Sequence, residues 1–201
     1  MKRIISVILA AMMLLMIAPT AAHGKRAESR APYGYVEHEY EQLLAFMEQT
    51  NSAGVKNGTQ LSSAYDPNDP ETWGGIFWYI APTGFIHAEY IFFSTYDFPN
   101  RNLVGTLNLS GFSKLRAFGC AGNSITAVSI SDCPLLDELN VAQNLLTNFS
   151  VSNCAELRLV WCEENMLPSV SMSNLPKLRQ FHCYQNPITE LDVSPFENLW
   201  Y

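Results

Sequence analysis

From residue 102 onward the apolar positions recur on a single period. Leu115, Leu136, Leu157, Leu178 and Leu199 lie 21 residues apart. Phe118, Leu139, Val160 and Phe181 follow in the same phase, then Cys120, Val141, Cys162 and Cys183. Asn123, Asn144, Asn165 and Asn186 come next, and after them Ile125, Leu146, Leu167 and Ile188. A second apolar pair closes each unit: Val128 with Ile130, Phe149 with Val151, Val170 with Met172, and Leu191 with Val193. No copy slips register. An alternating pair such as Phe181 and Cys183 predicts a short strand with one buried face. Stacked coils would pair these strands in parallel at about 4.8 Å per coil. A single coil cannot bury its apolar edge, so stability must come from its neighbours.

The asparagine column has its own physical reason. Where the chain turns away from the strand, main-chain donors and acceptors face inward and need partners. An Asn amide supplies both kinds and can bridge adjacent coils. The expected ladder is Asn102, Asn123, Asn144, Asn165 and Asn186, with Val104, Leu107 and Leu109 carrying the register back to the first coil.

The unit L-x-x-L-x-C/V-x-x-N-x-L-x-x-L-x-V-S resembles the leucine-rich repeat family in its short, 21-residue bacterial form, over about residues 102–201. The resemblance implies an α/β, β-rich, right-handed leucine-rich repeat solenoid with a parallel concave sheet. It also implies the asparagine ladder, and a concave face that binds another macromolecule.

Residues 34–101 do not repeat. "VEHEYEQLLAFMEQT" places Tyr40, Leu43, Leu44 and Met47 at helical spacing, which predicts an amphipathic helix ending at the "NSAG" run, Asn51 to Gly54. The turn-rich loop "AYDPNDPETWGG" follows. "IFWYI" and "FIHAEYIFF", separated by "APTG", then read as a hairpin. The order of helix, Pro-rich acidic loop, Trp-x-Gly-Ile and strand pair resembles the N-terminal cap of extracellular leucine-rich repeat proteins. The plant members of that family staple the cap with cysteines beside the tryptophan motif. "TWGGIFWYI" has none, so packing must hold this one. Asp66, Asp69 and Glu71 suggest either a calcium loop or a solvated turn; the spacing does not fit an EF-hand and prolines interrupt it.

The stretches "RLVWCEENML" and "RQFHCYQNPI" look like chemistry, with thiols beside a tryptophan and a histidine. The repeat gives them another meaning. Cys120, Cys162 and Cys183 share a column with Val141, as a core position does. Neighbours on a strand point to opposite faces, so His182 and Cys183 cannot act as base and nucleophile, nor do Trp161 and Cys162 cooperate. Cys133 and Cys154 share a column with Phe112, Leu175 and Phe196, and read as core or as a disulfide between coils; Cys162 and Cys183 are equally near. The outward set runs from small side chains (Ala117, Gly119, Ala121) through Glu138, Asn140 and Ala142 to Leu159, Trp161, Glu163, Gln180, His182 and Tyr184. The last six form the expected ligand-binding site, for a protein partner or, with Trp161 and Tyr184 as an aromatic platform, a glycan. No catalytic residue, metal ligand or cofactor is expected, and the chain does not read as an enzyme.

Lys2 and Arg3, the apolar run 4–18 and the small residues of "PTAAHG" fit a signal peptide over residues 1–22, followed by a linker at 23–33. The run is too short to span a membrane, and no cysteine follows it to take a lipid anchor, so a secreted or cell-surface location is expected. Cleavage leaves roughly 180 residues, enough for one domain. It also moves the net charge from −7 to −7 − 2 = −9, which disfavours nucleic acid and anionic membranes as partners. The fifth coil begins at Leu199 and the sequence stops at Tyr201. The fourth coil's edge is therefore expected to invite self-association or to continue into a longer solenoid.

Overall fold

The structure, a computed structural model, describes residues 31–94 and 102–200. The signal peptide and most of the linker lie outside them. Helices α1 (Glu37–Met47) and α2 (Asn57–Leu61) and a short 3-10 turn at Pro70–Thr72 precede ten strands. These are β1 (Ile76–Ile80), β2 (Ile86–Phe92), β3 (Val104–Ser110), β4 (Ala117–Gly119), β5 (Ser124–Ser131), β6 (Glu138–Asn140), β7 (Asn148–Ser152), β8 (Leu159–Trp161), β9 (Ser171–Ser173) and β10 (Gln180–His182).

The strands form two sheets, β1-β2-β4-β6-β8-β10 and β3-β5-β7-β9. From β2 onward the first sheet is parallel, and so is the whole of the second. The register places each residue on its equivalent in the next coil. Phe118 pairs with Leu139, Leu139 with Val160, and Val160 with Phe181. In the second sheet Ile130 pairs with Val151, and Val151 with Met172. The result is a β-rich parallel β-solenoid of about four turns with few helices. Its interior holds the repeating columns, with Leu115, Leu136, Leu157 and Leu178 wholly buried. Leu191 and Val193, which close the fourth unit in the sequence pattern, are instead 38% and 39% exposed, because no described coil packs over them.

Two tight turns per coil need a left-handed residue. One column is Gly111, Asp132, Asn153 and Asn174; the other is Gly122, Gln143, Glu164 and Gln185, all with φ between 53° and 76°. Glycine reaches this region freely, and Asn and Asp tolerate it better than other side chains. The side chains then ladder too: Asn174 Nδ2 donates to Asn153 Oδ1 (2.7 Å) and Asn153 Nδ2 to Asp132 Oδ1 (2.9 Å).

The asparagines satisfy the buried turn after each short strand. Asn144 Nδ2 donates to the carbonyls of Cys120 (3.0 Å), Val141 (3.2 Å) and Ala142 (3.0 Å), while its Oδ1 accepts from Ile125 N (3.1 Å). Asn165 repeats the set on Val141, Cys162 and Glu163, accepting from Leu146 N. Asn186 does so on Cys162, Cys183 and Tyr184, accepting from Leu167 N. Asn123 starts the ladder on Phe93, Cys120 and Ala121, accepting from Leu103 N. Asn102, expected to begin the ladder, is exposed, and its main chain is held by Gln60; the turn before it lies outside the described residues.

Helices α1 and α2 serve the first strand of the second sheet. Side chains projecting from α1, α2 and the segment between them meet the main chain of β3 and its flanks. Asn57, fully buried, donates to Phe46 O and Val104 O and accepts from Val104 N. Gln49 donates to Thr106 O and accepts from Thr106 N, both at 2.7 Å. Gln42 does the same at Ser110 (3.0 and 2.7 Å), and His38 Nε2 lies 3.0 Å from Gly111 O. Gly105 makes the approach possible. Its φ is +88°, the register shifts beside it, and a Cβ there would strike the Gln49 amide. The helix stops at Met47, ahead of the "NSAG" run, and Gln49 leaves its end to reach β3.

The predicted hairpin is present as β1 and β2, but it is not a separate appendage. Tyr90, Ile91 and Phe92 pair in parallel with Ala117, Phe118 and Gly119, so β2 joins the repeat sheet as its leading strand.

Asn144→Ala should cost about 3 kcal/mol, since several buried main-chain groups lose their partner, and lower the melting temperature by about 6–12 °C. Asn102→Ala should leave it unchanged; thermal unfolding of both variants checks this. Gly105→Ala should lower the urea midpoint more than Gln49→Ala, whose loss of neutral hydrogen bonds is worth about 1 kcal/mol.

Candidate binding face

Leu159, Trp161, Gln180 and His182 stand on the outward side of β8 and β10, in register as Leu159 with Gln180 and Trp161 with His182. The Trp161 and His182 rings stack, with centroids 6.0 Å apart and planes 19° from parallel. Glu163 and Tyr184 follow just past the two strands, and the Glu164 N–H bond to Tyr184 O (3.0 Å) locks their coils together. Tyr184 is 56% exposed; the other five are half-buried. The Glu163 carboxylate beside it pushes the Tyr184 phenol above its ordinary value. The six expected residues thus form one patch across two adjacent coils. Towards the N-terminal coils the face is smoother. Ala121 and Ala142, expected outside, are buried at the turn.

Three hollows adjoin the patch. One, of about 230 Å³, is lined by Leu159 and Gln180 with Glu138, Arg158, Arg179 and Trp200. A second, of about 250 Å³, is lined by Trp161, Asn140, Glu138, Gly119, Ala117 and Phe92, among others. The small side chains of the first coil leave this space open. The third, of about 710 Å³, lies at the end of the stack between Phe181, Cys183, Leu191, Val193, Phe196 and Trp200, with His182 and Tyr184 at its rim.

The thiols lie on the other side of the sheet. Cys120 and Cys162 are wholly buried, and burial pushes both well above the usual thiol range. Cys162 and His182 are therefore not brought together. Cys183 stays half-buried, because it faces the open end of the stack. Cys133 and Cys154 are buried free thiols in adjacent coils, and each donates to a main-chain carbonyl, Cys133 to Ser131 O and Cys154 to Ser152 O (both 3.3 Å).

One polar cluster escaped the sequence. Glu39, 1% exposed on α1, accepts from Ala88 N (2.8 Å) and meets His87 Nδ1 at 2.9 Å. Ser113 Oγ lies 3.5 Å from the same ring nitrogen. A proton relay places the acid and the hydroxyl on opposite nitrogens; here both share one, and the carboxylate fastens α1 to β2. An acid within the apolar stripe of α1 was the available signal. Asp66 and Asp69 spend their carboxylates on their own turns, accepting from Asn68 N (2.8 Å) and Glu71 N (3.2 Å). Among the described residues no group of three or more His, Cys, Asp or Glu is placed to hold a metal ion, and no helix is long and apolar enough to cross a membrane.

No family model, curated protein or solved structure matches this chain. What fold and face together define is a β-solenoid whose last two described coils carry an aromatic and acidic outward patch.

Iodoacetamide applied to the folded protein should label Cys183 first and leave Cys120 and Cys162 untouched until denaturant is added. Peptide mapping by mass spectrometry reads the order, and early labelling of Cys162 would contradict the burial of its column.

Proposed function

We propose that this chain is a secreted or cell-surface recognition module: a right-handed leucine-rich repeat solenoid of the short, 21-residue bacterial type. In this reading residues 34–101 are its N-terminal cap, and the side chains that meet β3 are what the cap does. An uncapped first strand would expose a row of unpaired main-chain groups, and strand edges of that kind promote aggregation.

The partner is a protein, bound through the concave face by Trp161, His182 and Tyr184, with Leu159, Glu163 and Gln180 around them. The observation that carries this is the stack of Trp161 on His182. Large aromatic side chains held rigid on adjacent strands lose little freedom on binding, and they concentrate at the energetic centres of protein interfaces. The same stack disfavours a glycan platform. A sugar ring needs an open aromatic face, and the imidazole covers one face of the indole. The acidic net charge of the chain disfavours nucleic acid.

The test is capture of secreted and surface proteins by the immobilised chain, beside a glycan array. Trp161→Ala should keep the wild-type circular dichroism spectrum and lose the captured partner by at least tenfold in affinity, equivalent to about 1.4 kcal/mol. Undiminished capture by that variant, or saturable sugar binding in its place, would contradict the reading.

A further inference from the structure

One oxygen on this face is left without a donor. Glu163 Oε2 is sealed from solvent, and no N–H or O–H reaches it. Buried polar atoms in folded proteins are almost always paired, and leaving a charged one unpaired is the costliest exception. The Glu163 carbonyl, by contrast, is fully used, accepting from Gln143 N (2.9 Å) and from Asn165 Nδ2 (3.1 Å).

The neighbours explain why the fold supplies nothing. Burial first, and the carboxylate charge after it, raises the Cys162 and Cys183 thiols, while the carboxylate charge is the main cause at the Tyr184 phenol. None of them is a cation. The cations of this sheet stand at the opposite end of the strands. Arg158, before Leu159, is paired with Asp137, and Arg179, before Gln180, lines the hollow at that end of the patch with Arg158, Leu159, Gln180, Glu138 and Trp200. Beside Glu163 comes another acid, Glu164, which accepts from the Gln143 amide.

Glu163 also occupies one corner of a square. Trp161 lies two residues earlier, at the end of β8. Tyr184 is its equivalent in the next coil, and His182 completes the figure. We propose that this square receives a Lys or Arg side chain of the protein partner, with Glu163 as its counter-charge. An ammonium or guanidinium at the solvent-facing side of this half-buried residue brings the counter-charge that the fold does not supply. The exposed Tyr184 ring offers a π face to the cation, and Trp161 offers an apolar wall to its methylene stem. The chain's net charge of −7 draws a basic segment towards it. The inference rests on the recognition reading above and names the chemistry of its partner.

A random heptapeptide library displayed on phage, panned on the immobilised full chain, tests it. The enriched sequences should carry Lys or Arg. A synthetic peptide from the enriched set should lose at least tenfold in affinity when its basic residue is replaced by norleucine, and equally when the protein carries Glu163→Gln. That variant should melt no lower than wild type, since it removes an unpaired buried charge. Enriched peptides without Lys or Arg, the absence of any enriched peptide, or full affinity of Glu163→Gln for the basic ones would overturn the assignment. If non-basic peptides are enriched and Trp161→Ala abolishes their binding, the recognition face survives and the cation site falls. Peptides bound equally well by both variants remove both.

Discussion

A turn inside a stack of coils is stable only if every main-chain group facing inward has a partner, and in this protein one asparagine per coil provides it. Each amide donates to the turn that it follows and to the coil before, and each side-chain carbonyl accepts from a main-chain N–H of that preceding coil. The geometry works only when successive coils sit in register. A coil shifted by one residue would present donors to donors and turn its apolar column outward. The ladder is therefore both an adhesive between coils and a gauge of their length, and the constant 21-residue period follows from it.

That register decides what the surface can do. With every residue stacked on its equivalent, a column of side chains becomes a stripe, and a change from Ala to Trp along the stack becomes a change in surface chemistry along one face. The smooth early coils and the aromatic late ones are two ends of such a stripe. The stacking of Trp161 on His182 follows directly, since planar side chains on in-register parallel strands lie face to face. The thiols are sunk by the same alternation, and their chemistry is suppressed by burial.

Much of this was legible because the repeat samples each environment several times. Three cysteines and a valine in one column identify a core position better than any single cysteine could. The asparagine column and the parallel strands were readable for the same reason, and the helix and hairpin of the unrepeated segment from their own apolar spacing and turn residues. The contacts of Gln42, Gln49, Asn57 and Gln60 with β3 span 42 to 68 residues and occur once each, so no pattern announces them. The pairing of β2 with β4 joins a unique segment to a repeated one, and only the fold reveals it. On the outward face the positions of Leu159, Trp161, Gln180 and His182 followed from strand alternation, whereas the unpaired oxygen of Glu163 depends on how one side chain settles among its neighbours.

The ladder is tested most directly by residue-resolved native-state hydrogen exchange. The main-chain N–H groups of Leu146 and Leu167 lie outside the strands and that of Ile125 lies near the start of β5, and all three bond to asparagine side chains. If those side chains hold the coils together, these amides exchange only on global unfolding, as slowly as the core of β6 and β8. Exchange as fast as that of an exposed loop amide such as Ala53 would contradict the account.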